Sequence, residues 1–329
     1  MNIAKMNIAG LDGGVIIKKG GGGGVTIKNQ EKSVDITENG TTEVTADSGF
    51  TGLSKVVVNT NVASSGGGGS DMPVIGDGKT YLYIKIAAEG RMDVPLYFSQ
   101  TKANGVTIDW GDGSAPQTLS GTGTVNTTHK YAAIGDYVIS LDPVDGCTLG
   151  LGHGSSSYCV MGSTENNGKV YCNMLQAVEI GRNVPSVGDC AFYTCYSLES
   201  AIIPDGVTSI GKQSFCYCYS LASVVIPDSV TKINGDTFAS CPSLASVVIP
   251  KSVTSIGATA FRRCYGAAFF DFSSHTAVPS LNSSSFESIP SDCKIIVPDA
   301  LYDTWKAATN WSSYASYIIK KSDWDASQS

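Results

Sequence analysis

Four phenylalanines, Phe192, Phe215, Phe238 and Phe261, stand 23 residues apart, and no other feature restricts the fold of this chain as tightly. Leu198, Leu221 and Leu244 keep the same step, as do Pro204, Pro227 and Pro250, and Val187, Ile210, Ile233 and Ile256. Leu175 and Ile180 carry the pattern one unit backwards. Phe270 and Phe272 carry it forwards, and after a two-residue insertion it closes with Phe286 and Ile295-Ile296-Val297-Pro298. A unit this short cannot bury its apolar face alone, so neighbouring units must stack into a solenoid with one continuous core. Each unit reads as a short strand, a proline turn, and an irregular or helical return. The last coil would expose its core and therefore needs a cap. Asp299 to Ala308 reads as a helix with Leu301, Trp305 and Ala308 on one face. Trp311, Tyr314, Tyr317 and Ile318 would then close the open end.

Ahead of the repeats, Tyr81 to about Leu149 has the pattern of a β-sandwich. Tyr81 to Ile86, Val94 to Phe98, Val106 to Trp110 and Tyr137 to Leu141 are the expected strands, with turns at Ala103-Asn104-Gly105 and Gly111-Asp112-Gly113. Gly20 to Gly24 and Gly66 to Gly69 read as flexible linkers. Between them, Val34 to Val62 reads as a small β unit. Val34 and Ile36 alternate, Glu38-Asn39-Gly40 signals a turn, Glu43 to Thr45 restarts a strand, and Val56-Val57-Val58 ends the segment. Fewer than 30 residues bury little core, so docking onto partner chains is expected. The organisation is thus an N-terminal anchoring segment with its glycine linker (1–33), a small β module (34–63), a Gly/Ser linker (64–78), a sandwich (79–150), the solenoid (151–298) and a C-terminal cap (299–329).

Composition agrees with a mainly β chain. Charged residues make up only 16% and glycines number 37, a mixture suited to turns rather than long surface helices. The net charge of −7, with no cluster of Lys and Arg, excludes a nucleic-acid binder. No apolar run reaches the length of a membrane-spanning helix. Met1 to Leu11 lacks the apolar block of a secretory signal, so a chain made in the cytosol and not exported by the general pathway is expected.

Candidate chemistry is sparse. Cys195, Cys218, Cys241 and Cys264 form a ladder at the repeat period. Equivalent Cβ atoms of stacked strands lie about 4.8 Å apart, too far for the ~3.8 Å of a disulfide, so buried free thiols are expected. Cys216-Tyr217-Cys218 lacks zinc-site spacing, and no histidine is placed to help. His129, His153 and His275 are the only histidines, and none pairs with a nucleophile motif. Asp109, Asp112 and Asp136 offer oxygens to calcium, but capping of Asp-Gly turns is the preferred reading. Glu165, Glu179 and Glu199 form no assignable glycosidase pair. No enzyme activity, catalytic residue, cofactor or metal ligand is therefore assigned.

Two surfaces stand out instead. With Leu198, Ala201 and Ile203 pointing inward, Ile202, Val225 and Val248 form an outward stripe flanked by Glu179 and Asp271. That stripe either binds a partner or reflects only the strand preference of β-branched residues. Tyr193, Tyr196, Tyr217, Tyr219 and Tyr265 gather at the repeat corners beside the cysteines. They either contact a receptor or pack between coils.

Three resemblances bear on function. Ile202-Ile203-Pro204-Asp205-Gly206-Val207-Thr208-Ser209-Ile210-Gly211, through Phe215 and Cys218 to Ser220-Leu221, resembles the BspA-like leucine-rich repeat over roughly residues 170–320. That family implies ligand binding, often at host or bacterial surfaces. Ile108-Asp109-Trp110-Gly111-Asp112-Gly113, with His129-Lys130-Tyr131 and Gly135-Asp136-Tyr137, looks like a PKD-type immunoglobulin-like domain, which implies a spacer or adhesion module. Glu38-Asn39-Gly40 to Ser48-Gly49-Phe50 and on to Asn59 is similar to short β modules of phage and prophage tail proteins. Together these imply a non-enzymatic bacteriophage virion protein, such as a tail, baseplate or head fibre. Its N-terminus would be anchored to other virion proteins, and its repeats displayed to a glycan or protein of the host surface. A homo-oligomer, with a trimer as the guess, fits the small N-terminal core. The alternative is a bacterial cell-surface adhesin.

Overall fold

The computed structural model describes residues 78–152, 158–163 and 171–328, and the backbone of six short strands within residues 1–77. Residues 1–77 and 78–329 form two compact units. In the first, Gly23–Lys28 pairs antiparallel with Ser33–Glu38 and parallel with Val44–Ala46, while Met6–Asn7 joins the far edge of Ser33–Glu38. Ile16–Lys18 pairs with Val57–Asn59. The expected strands after residue 33 are present, but the turn signal at Glu38-Asn39-Gly40 does not join two paired strands. Ser33–Glu38 takes Gly23–Lys28 as its partner instead, because Val25-Thr26-Ile27 is itself a β-branched run. Gly23 and Gly24, read above as linker, open that strand. The Gly66 to Gly69 linker lies outside the described residues.

The second unit begins as two packed sheets. Thr80–Ile86, Gly135–Pro143, Val106–Asp109 and Gln117–Thr118 pair antiparallel in one. Asp93–Gln100 lies between Gly123–Lys130 and Leu149–Gly150 in the other. Alternation sends Leu82, Ile84 and Ile86 from one sheet, and Val94, Leu96 and Phe98 from the other, into a shared core. The Trp110 and His129 motif residues lock one end. The Tyr131 hydroxyl donates to the Trp110 carbonyl at 2.8 Å, and the His129 ring stacks on Trp110 at 4.7 Å. Gly111 has φ +73°, and a Cβ there would lie 2.4 Å from the Val138 carbonyl oxygen, so only glycine fits.

The sandwich and the solenoid are one body. The free edge of Thr80–Ile86 pairs antiparallel with Leu175–Glu179, the first solenoid strand, with a bulge between Leu175 and Ala177. Leu175–Glu179 then pairs parallel with Ser200–Ile202, and that strand with Ser223–Val225. A single apolar core runs from Leu82 to Trp311. The expected boundary at 150/151 therefore falls inside a continuous sheet and core.

Three ladders build the coils. The long strands continue through Ser246–Val248, Phe269–Asp271 and Lys294–Val297. After each proline turn, two-residue strands stack in parallel from Ser186–Val187 to Ser280–Leu281. On the return arc the phenylalanine rings stack face to face at 5.1–5.4 Å, from Phe192 to Phe286. Each arc carries two left-handed residues: Cys190 and Thr194, Gln213 and Tyr217, Asp236 and Ser240, Thr259 and Arg263, Ser284 and Ser288. A left-handed non-glycine residue costs about 1–2 kcal/mol. The arcs tolerate it because the amides so turned find carbonyls on the next coil. Phe192 donates to Ser214 at 2.7 Å and Thr194 to Cys216 at 2.9 Å, a pattern that Phe215 and Tyr217 repeat. Leaving those buried amides unpaired would cost about 1–3 kcal/mol each.

The cap forms as expected. Asp299–Leu301 and Tyr302–Ala307 make a short helical run, and Trp305 and Trp311 are fully buried against Phe272. The Trp311 indole N–H donates to the Pro279 carbonyl at 2.8 Å. Ile318–Lys320 adds a final parallel strand, and a helix, Lys321–Gln328, lays Trp324 on Phe269. No helix among the described residues is long and apolar enough to cross a membrane.

Candidate functional site

The return arcs place the tyrosines. The left-handed turn at Thr194, and its equivalent at Tyr217, reverses the chain just before the long strand. Side chains on either side of it project at a corner while Cys195 and Cys218 point into the core. Four tyrosines meet there. Tyr193 lies edge-on to Tyr217 at 5.7 Å, Tyr217 edge-on to Tyr219 at 6.1 Å, and Tyr219 stacks on Tyr196 at 4.8 Å. Tyr219 is 45% exposed and the other three are half-buried. Partial burial pushes the Tyr193 phenol up to about 12, and raises Tyr196 as well, so both stay neutral hydrogen-bonding groups. None of the four hydroxyls has a hydrogen-bond partner among the described residues. The corner thus combines packed ring faces with one well-exposed tyrosine, Tyr219.

Tyr265, 58% exposed, stands apart from that cluster. Tyr196, Tyr219, Pro242 and Tyr265 occupy one repeat position, so Pro242 fills the step between the last two tyrosines. The Tyr193 column continues with Cys216, Ala239 and Arg262, and the Tyr217 column runs from Thr194 through Tyr217 and Ser240 to Arg263, so neither repeats its tyrosine on later coils. The outward stripe lies on the long strands, as expected. Ile202 pairs in register with Val225, which is 46% exposed, and Val248 with Asp271. Glu179 sits beside Ile202 in the sheet but is buried, because the sandwich strand bearing Tyr81 covers its other side.

The remaining candidates resolve as structural. Asp109 Oδ1 accepts from the Gly111 amide at 2.9 Å, and Asp112 Oδ1 from the Ser114 amide at 3.0 Å. Asp112 Oδ2 lies 2.7 Å from His129 Nε2. Burial opposes ionisation of Asp112, but its hydrogen bonds to Ser114 and His129 outweigh that and bring the carboxyl down to about 2. Asp136 does not join these two in a ligand-sized cluster. His275 is buried with its ring nitrogens 3.2 Å from the Phe272 and Val253 carbonyls. His153 and Glu165 lie outside the described residues.

Cysteine chemistry was only partly legible. Cys218, Cys241 and Cys264 donate to the Phe192, Phe215 and Phe238 carbonyls of the preceding coil at 3.2–3.3 Å, and burial raises all three thiols. Cys195 behaves differently. Its thiol meets those of Cys159 and Cys172, all three fully buried, with their sulfurs within 4.8 Å of one another. Cys172 is in register with the ladder one coil earlier, a signal available in the sequence. Cys159 lies outside the repeat, and no spacing rule could have found it.

The family model for the BspA type leucine-rich repeat region matches residues 170–268, in six copies. Solved structures similar to the chain include the leucine-rich repeat protein of T. pallidum, with 29% identity over 37% of this chain and 58% of that one and a TM-score of 0.34. A leucine-rich repeat protein from Bacteroides ovatus has 24% identity, covers 37% of this chain and 36% of its own, and scores 0.32. A leucine-rich cell surface protein from Faecalibacterium prausnitzii has 22% identity, covers 47% and 63%, and scores 0.21. The chain spans less than two-thirds of each of these. No curated protein matches it.

Proposed function

We propose that this chain is a non-enzymatic adhesion protein whose leucine-rich repeat region binds a glycan or protein of a cell surface through the corner formed by Tyr193, Tyr196, Tyr217 and Tyr219. The observation that carries this reading is the packed cluster of four tyrosines at one corner, with Tyr219 45% exposed. Tyrosine offers a large, rigid face with a polar tip, which stacks on sugar rings or anchors a protein partner at little entropic cost. Tyr265 and the stripe of Ile202, Val225 and Val248 extend the same surface reading to later coils and to the strand face.

The setting we favour is a bacteriophage virion, with residues 1–63 anchored to other virion proteins, the PKD-type sandwich as spacer, and a homo-oligomeric, trimeric assembly. The strands found after residue 33, where the resemblance to phage tail modules lies, support it. A bacterial cell-surface adhesin is the second reading, supported by the repeat region itself. Binding of the purified chain to intact bacteria tests the function. Tyr219→Ala with Tyr196→Ala should weaken binding by about tenfold or more, as central aromatic anchors do, with little change in melting temperature. Unchanged binding would remove the corner from the site. Immunogold labelling of purified particles tests the setting, since label on a bacterial envelope rather than on virions sinks the phage reading.

A further inference from the structure

We propose that Cys159, Cys172 and Cys195 form a binding site for one thiophilic metal ion, Zn2+ or Cu+, at the joint between the sandwich and the first coils of the solenoid. The three thiols are within 4.8 Å of one another and fully buried. Around an ion with metal–sulfur bonds of about 2.3 Å, tetrahedral thiolates lie roughly 3.8 Å apart, so the cluster closes onto such an ion with small movements. Soft thiolates select ions of this kind over the oxygen-seeking Mg2+ and Ca2+.

The contrast with the rest of the ladder separates this cluster from ordinary packing. Cys218, Cys241 and Cys264 each donate a hydrogen bond to a phenylalanine carbonyl and are thereby committed to the coil-to-coil stack. Cys172 and Cys195 face each other from successive repeat positions, and Cys159 is delivered to them by a separate piece of chain. That piece is stitched in place on both sides. The Val160 amide donates to the Ala191 carbonyl at 2.8 Å, and the Val160 carbonyl accepts from the Tyr97 amide at 2.9 Å. Cys159 is thus held between the sandwich strand Asp93–Gln100 and the first phenylalanine arc.

All three sulfurs lie in the apolar core. An isolated thiolate in an apolar core is costly, and a bound cation removes that cost while taking up the protons' place on all three sulfurs. Binding releases those protons to solvent, with no change in oxidation state. No histidine or carboxylate completes the cluster among the described residues. Three-coordinate Cu+ therefore fits the protein ligands alone, whereas Zn2+ would need a fourth ligand from solvent.

The test uses the full chain, purified without added metal and then titrated separately with Zn2+, with Cu+ under reducing conditions, and with Co2+ as a spectroscopic probe. One equivalent of metal per chain by elemental analysis, and a sulfur-to-cobalt charge-transfer band, are expected. Both should disappear in Cys159→Ser and Cys195→Ser and persist in Cys241→Ser, a ladder cysteine of equal burial. The wild-type melting temperature should rise with metal and fall with chelator, and the titration that gives the tighter binding assigns the ion. Should the serine variants fail to fold, the wild-type stoichiometry still decides. Absence of bound metal with all ten thiols titrating in the unfolded chain overturns the site, and so does a chain mass lowered by two hydrogens through a disulfide in the triad.

Discussion

The solenoid must be closed at both ends, and it closes them by different means. At the first coil, the sandwich strand Thr80–Ile86 pairs along Leu175–Glu179, so the end is sealed by backbone hydrogen bonds and a shared core. At the last coil, about thirty residues fold over Phe272 and Phe286 and seal it with Trp305, Trp311 and Tyr314. The difference follows from what each neighbour offers. An existing sheet has an edge strand needing a partner, while a short tail can cover apolar area only with large side chains. The N-terminal closure therefore couples two parts of the chain into one unit, and the C-terminal one is local.

The largest test of that asymmetry is truncation. Residues 170–329 alone should aggregate or fail to fold, since Leu175–Glu179 would become a bare apolar edge; size-exclusion chromatography beside the 78–329 fragment checks it. A well-behaved monomer would show that the sandwich is not a cap. Next, Trp311→Ala should cost about 3–5 kcal/mol, as large aromatic deletions in cores do, read from denaturant unfolding of the 78–329 unit. Leu82→Ala, on the sandwich strand that forms the junction, should cost about 2–5 kcal/mol. If the junction is as integral as the ladder suggests, it should melt both parts in a single transition.

The smallest effect concerns acid. His275 lies by the C-terminal cap with its ring edge-on to Trp305, and burial lowers its pKa below the ordinary 6.5, against the upward pull of its two carbonyl contacts. The native state then binds the proton less readily than the unfolded chain does. Stability is fully present above about pH 6.5 and falls as the pH drops from there toward the native pKa. Thermal melts at pH 8 and pH 5 should show a decline that His275→Asn reduces. An unchanged slope would mean that carboxylates alone set it.

Much of this was legible because a repeat states its contacts many times over. The phenylalanine stack, the inward leucines, the outward Ile202 and Val225, and the roles of Trp305 and Trp311 all follow from period and alternation. The left-handed pairs did not follow, because Cys190, Thr194, Gln213 and Tyr217 share no side-chain property that marks the conformation. It is imposed by amides reaching the next coil. Cys172 was visible as an earlier step of the cysteine ladder, yet its meaning depends on Cys159, which no spacing connects to it.

The sequence by itself determined the 23-residue coil, its core and its need for caps, because burying a repeated apolar face has one solution: stacking. Only the tertiary structure decided what lies against the first coil, which tyrosines share a corner, and which cysteines meet. Those outcomes depend on contacts between segments far apart in the chain, where local propensity and periodicity carry no information.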